Sequence, residues 1–200
     1  MTTKLPPKIR SLARRGVFRA RDLAPAGIPR YQLRQWVDSG LLMKTGRGLY
    51  MTPEADITEH HSLVQLAARS PQAVVCLLSA LRFHGLTTEN PEVIYVLLPK
   101  GVRPPRLSVP ELDVTWASGA GYTHGIQEHR ISGVTVRVSS PAKTVADCFK
   151  HRSKVGVTVA AEALRDVWKK KQATADELWR AAKACRMMNV MRPYFEMMLT

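Results

Sequence analysis

The chain has 200 residues, 45% of them hydrophobic, and carries 30 Lys/Arg against 16 Asp/Glu for a formal net charge of +14. That length supports one sizeable core, or one core plus a satellite domain of about 50 residues, and the second arrangement is the expectation. No apolar run reaches the roughly 18 residues that cross a bilayer and no secretory h-region opens the chain, so a soluble, cytoplasmic protein with no membrane partner is expected.

Three cysteines, Cys76, Cys148 and Cys185, are odd in number, far apart and set in apolar or helical contexts. They read as reduced thiols rather than a disulfide framework. The one adjacent histidine pair, His60 and His61, has no C-x-x-C or H-x-x-x-H spacing beside it. No metal or other cofactor is expected. The charge is local: residues 1–52 hold eleven Lys/Arg and two Asp/Glu, whereas residues 53–152 hold ten against nine. A concentration of this kind suits a docking surface for nucleic acid.

In chain order, Lys8 to Gly16 follows Pro6-Pro7 with Ile9, Leu12 and Ala13 at helical spacing and Gly16 as a C-cap, which predicts a first helix. Val17–Ala20 is a short extended link. Arg21–Ala24 forms a brief second helix that Pro25 and Gly27 terminate. Pro29 fits the first position of a third helix, and Gly40 closes it. On that helix Leu33, Trp36 and Val37 gather on one side, to seat on Ile9, Leu12 and Phe18, while Tyr31, Arg34 and Gln35 gather on the other, flanked by Arg30 and Gln32. Leu41–Lys44 and Gly48–Met51 then read as two strands around the basic turn Thr45-Gly46-Arg47. Together these segments read as a winged helix-turn-helix.

Arginine forks onto guanine O6 and N7, and glutamine can pair adenine in the same bidentate way. Arg30, Tyr31, Gln32, Arg34 and Gln35 are therefore the candidate base-reading residues. Lys8, Arg14, Arg15, Arg19, Lys44 and Arg47 are the candidates for neutralising phosphates. Against this stands a plainer reading, since solvated Lys/Arg faces are ordinary on helices and winged units also dock proteins. Trp36 reads as core, and Tyr31 reads either as a contact or as a surface tyrosine without a task.

The domain boundary is expected at Thr52–Asp56, giving residues 1–56 as the DNA-binding domain and 57–200 as a mixed C-terminal domain, an α+β protein overall. Ile57–Ser70 is helical, with Leu63, Leu66 and Ala67 sharing a face and both histidines expected to be exposed. Ala73–Leu78 is helix or buried strand, undecided by period. Ser79 is expected to cap a short helix, Ala80–His84, which Gly85 ends. Val93–Leu98 and Leu112–Ala117 read as strands around a basic loop from Lys100 to Arg106, itself either a solvated connector or an accessory phosphate contact. Gly125–Arg130 and Val134–Ser139 form a hairpin about Ser132-Gly133. Ser140-Pro141 opens a helix toward His151. Three helices follow: Val155–Lys171, one opened by the capping box Thr174-x-x-Glu177, and a last one with Pro193 in its first turn. Met187, Met188, Met191, Met197 and Met198 in that final segment read as core packing or as an adaptable partner surface.

No catalytic residue is proposed, and no enzyme is expected. Glu111 and Asp113, with Lys100 upstream, match no nuclease spacing, and a polar sheet edge accounts for them. Ser79 and His84 lie close on one short helix without an orienting carboxylate. Gly119-Ala120-Gly121 lacks the Lys-Ser/Thr of a phosphate loop.

Two sets of residues resemble a known family. They are Arg19-x-x-Asp22-Leu23 through Gly40-Leu41-Leu42 to Gly48-Leu49-Tyr50, and Ser79-Ala-Leu-x-x-His84-Gly-Leu86 followed by Pro141-Ala-Lys-Thr-Val-Ala-Asp147-Cys. The chain is similar to the bacterial AbiEi antitoxins of type IV abortive-infection toxin–antitoxin systems. The resemblance implies a repressor of its own operon that binds double-stranded operator DNA at inverted repeats, with a second protomer on the DNA by symmetry. It also implies a C-terminal domain countering a nucleotidyltransferase-like toxin. The family's DNA contacts carry over only to Arg30, Tyr31, Gln32, Arg34, Gln35, Lys44 and Arg47. A stand-alone winged-helix regulator with a ligand- or partner-sensing C-terminal domain would have the same N-terminal residues.

Overall fold

The computed structural model describes residues 5–13, 17–46, 48–53, 60–105 and 111–199. It is a mixed α+β chain with two small sheets. It divides into two compact units, Met1–Pro71 with His129–Val136, and Gln72–Glu128 with Arg137–Thr200. The linker expected at residues 52–56 lies partly outside the described residues.

The first unit opens with α1 (Pro7–Ala13), where the Pro6 carbonyl accepts the Ile9 and Arg10 amides at 2.9 Å each. The Gly16 cap lies outside the described residues. β1 (Phe18–Arg19) leads into a 3-10 helix, Ala20–Ala26. Proline was expected to stop this turn at residue 24, yet the helix runs through Pro25. A fixed φ near −65° fits 3-10 geometry and only one donor is lost. Gly27, at φ +68°, ends it. The Arg19 amide donates to Asp22 Oδ2 at 2.8 Å, which satisfies a donor at the helix start.

α2 (Arg30–Asp38) follows, with Pro29 as its N-cap at φ −66° and ψ 143° rather than its first helical residue. Its end is a Schellman motif. Gly40, at φ +72°, donates to the Val37 carbonyl at 3.0 Å, and Leu41 reaches back to Trp36 O at 2.9 Å. Leu42 also donates to Trp36 O. Because those amides belong to the helix end, the hairpin begins later than expected, as β2 (Met43–Gly46) and β3 (Leu49–Met51). The three strands form an antiparallel sheet in the order β1-β3-β2. Ile9, Phe18, Leu23, Leu33, Trp36 and Leu42 make a buried cluster beneath them. α3 (His61–Arg69) buries Leu63, Val64, Leu66 and Ala67.

In the second unit the undecided stretch is both things in succession: β4 (Val74–Val75), then α4 (Leu77–Phe83). Ser79 is therefore inside the helix rather than at its cap. Its hydroxyl accepts the Tyr95 amide at 3.0 Å, a tertiary bond that local sequence does not signal. β5 (Ile94–Pro99) and β6 (Leu112–Ala117) pair in parallel, Ile94 opposite Leu112 through Pro99 opposite Ala117. After the short α5 (Ala120–Thr123) come β7 (Ile126–Ile131) and β8 (Val134–Ser139), of which His129–Val136 belongs to the first unit. Ser132 (φ 47°) and Gly133 (φ 76°) supply the two left-handed residues of a type I′ hairpin turn. The strand order is β6-β5-β4-β8-β7.

α6 (Pro141–Lys150) is buried from Pro141 to Phe149, and the core forms around it with α7 (Arg152–Val155), α8 (Val157–Lys169), α9 (Ala175–Cys185) and α10 (Met188–Leu199). Gly156, at φ +91°, breaks α7 from α8. Pro193 was expected in the first turn of the last helix. It lies instead in the interior of α10, because Met187 already accepts the Met191 amide and starts the helix earlier. Met191 is fully buried and Met197 is 79% exposed, so the methionines divide between core and surface.

Candidate nucleic-acid interface

The amphipathic pattern of α2 determines what projects from it. Leu33 and Trp36 are buried in the cluster of the first unit. Tyr31 is 64% exposed, Arg34 and Gln35 are exposed, and Gln32 is half-buried. Tyr31, Arg34, Gln35 and Asp38 recur at three- and four-residue intervals and so share one face. The Arg34 side chain is 89% exposed, and its Nε lies 3.9 Å from Asp38 Oδ2. A pair this open is weak and holds the guanidinium only loosely.

Lys44 is exposed on β2, opposite Tyr50. Arg19 is half-buried on β1. Lys8 lies on α1 and Arg30 opens α2, but their side chains are outside the described set, and Arg14, Arg15 and Arg47 are outside it altogether. Of the eleven candidates, the structure thus brings Tyr31, Arg34 and Gln35 onto one open face and leaves Lys44 exposed on the hairpin. Arg21 and Arg10 are described basic residues of this unit that the candidate set did not include. Arg21 is exposed on the 3-10 helix, and Arg10 donates from Nη2 to the Leu5 carbonyl at 3.1 Å.

Three of the residues weighed for catalysis have identified partners, Ser79 with the Tyr95 amide and two others. Asp113 pairs with Lys154, and His84 Nε2 lies 2.7 Å from the Ser139 carbonyl. Among the described residues no cluster of three His, Cys, Asp or Glu side chains could hold a metal ion. Nor is any described helix long and apolar enough to cross a membrane. The histidines expected to be exposed are half-buried, and His61 Nε2 lies 2.8 Å from Gln65 Nε2. The amide one helical turn away claims its ring.

Residues 7–53 match the family model described as transcriptional regulator, AbiEi antitoxin. The match covers the N-terminal segment alone and supports, over that stretch, the resemblance read from its residues. The fold is similar to the crystal structure of the RV2827C protein from Mycobacterium tuberculosis, with a TM-score of 0.60 and 15% identity over 93% of this chain and 78% of that one. At that identity the likeness is one of fold. A comparison with curated protein sequences finds no match.

Proposed function

We propose that this chain is a non-enzymatic, DNA-binding antitoxin and repressor of a type IV toxin–antitoxin operon. In this reading residues 1–56 form a winged helix-turn-helix, with α2 as the recognition helix and β2–β3 as the wing. Arg30, Tyr31, Gln32, Arg34 and Gln35 meet base edges in the major groove. Lys8, Arg14, Arg15, Arg19, Lys44 and Arg47 neutralise phosphates. Two protomers bind an inverted repeat in the cytoplasm, and residues 57–200 counter a nucleotidyltransferase-like toxin.

The observation that carries the proposal is the open face of Tyr31, Arg34 and Gln35, backed by buried Leu33 and Trp36, inside the segment that matches the regulator family. Long donors standing away from the core are what a groove-reading helix requires. The test has two arms. The full chain is titrated onto a duplex from upstream of its own gene, and it is co-expressed with the neighbouring gene product. A salt-sensitive mobility shift together with rescue of growth is expected. A shift without rescue would favour a stand-alone regulator, and no shift with any duplex at low salt would reject DNA binding.

A further inference from the structure

We infer that α3, which lies beyond the family-matched segment, is the strut that fixes the β2–β3 hairpin on DNA, with Gln65 as the positioning residue for Lys44; the inference rests on the DNA-binding reading above. The ladder pairs Met43 with Met51 and Lys44 with Tyr50, then jumps to Gly46 opposite Leu49. Thr45 is the extra residue of a bulge, immediately after the candidate phosphate contact. A bulged residue drops out of the strand ladder, and its backbone groups need another partner.

α3 supplies that partner. Gln65 Nε2 donates to the Thr45 carbonyl at 2.7 Å. The second amide hydrogen points to His61 Nε2 at 2.8 Å, with the imidazole as acceptor. One turn further on, Arg69 Nη2 lies so close to the next wing residue that a Cβ placed on Gly46 would be 3.3 Å from it. His61, Gln65 and Arg69 are spaced four apart, so they form one stripe of the helix. Leu63, Val64, Leu66 and Ala67 hold the helix itself in place. Among the described residues the buried Thr45 hydroxyl has no hydrogen-bond partner, so there the joint is made through the Thr45 carbonyl. The direction of the strand carrying Lys44 is consequently set by a residue some twenty positions later in the chain.

The test is a double-mutant cycle in the full chain, read on a duplex from upstream of its gene and on a random duplex of equal length. Gln65→Ala is expected to weaken binding to both by about three- to tenfold and to leave their ratio unchanged. It should also reduce the log–log salt slope by about 0.9, the loss of one phosphate contact. Lys44→Ala should do the same alone, yet cost less than about twofold in the Gln65→Ala background, because coupled residues are not additive. Gln65→Met, which keeps the length and removes the donor, should repeat the effect and serves if Gln65→Ala does not fold. If Lys44→Ala weakens binding by the same factor in both backgrounds, or if Gln65→Met binds like the wild type, the inference fails while the DNA reading stands. A wild-type chain that shifts neither duplex at low salt overturns both.

Discussion

Lys143 Nζ lies 2.6 Å and 2.5 Å from the two carboxylate oxygens of Asp147, one turn along α6, with the side chains 0% and 6% exposed. Two charges removed from water are tolerable only because each is the other's partner. Asp147→Ala leaves an ammonium group in the core, and denaturant unfolding should show a loss of about 3–5 kcal/mol. The double replacement Lys143→Met with Asp147→Leu should be far milder than either single loss. A single variant with wild-type stability would contradict this account.

Burial by itself would lower the Lys143 pKa, but the facing Asp147 charge and hydrogen bond, together with the nearby Cys185 and Cys76, raise it above the ordinary lysine value. The stability this group contributes is therefore complete below the ordinary lysine range, about 10.4, and is lost as pH climbs through the higher folded value. Alkaline unfolding of the wild type should contain that component, and unfolding of the double variant should lack it.

The three thiols are all buried. Burial first, and Asp147 second, push Cys185 up to about 12 and raise Cys76 and Cys148 as well. Thiolate is the reactive form. A disulfide reagent at neutral pH should leave the native protein unlabelled and modify all three cysteines after unfolding. Rapid labelling of any one in the native state would be inconsistent with this packing.

Gly125 sits at φ +63°, and its carbonyl accepts the Ser140 amide at 2.7 Å where α6 begins. A Cβ there would lie 2.8 Å from Lys143 Cβ and 3.0 Å from Ser140 Oγ. Gly125→Ala should cost at least about 1–3 kcal/mol from overpacking, before the left-handed backbone is counted. Gly121→Ala is the control, since its nearest neighbours are at 3.8 and 3.9 Å. Thermal melts of the two variants should separate clearly.

Features built from neighbouring residues were legible in the sequence. Gly40 and Gly85 end their helices, Ser132-Gly133 turns a hairpin, and Thr174 with Glu177 forms the reciprocal capping box, with the Thr174 amide 2.8 Å from Glu177 Oε2. The alternation of Leu33 and Trp36 with Tyr31, Arg34 and Gln35 was legible for the same reason, because a helix turns at a fixed angle. Features decided by distant partners were not. Ser79 left its expected cap for the Tyr95 amide, and Gln65 reaches Thr45 across twenty residues. The i,i+4 spacing of Lys143 and Asp147 was visible, but nothing local indicated that this helix is buried on every side.

Asp38 is the one acidic member of the Tyr31, Arg34, Gln35 face and lies beside Arg34. An exposed pair of this kind adds at most about 1 kcal/mol to stability, whereas its carboxylate would repel phosphate. Asp38→Asn should tighten binding to cognate and random duplexes alike by a few fold, with little change in melting temperature. Weaker binding would mean that Asp38 orients Arg34 for its contact.

Arg34 gives the most direct test. Binding of wild type and Arg34→Ala is measured on the upstream duplex and on a random one across a salt series. If α2 reads bases, Arg34→Ala loses about 1–3 kcal/mol of discrimination between the two duplexes and changes random binding little. Equal weakening on both duplexes, or no effect on either, would contradict a base-reading helix.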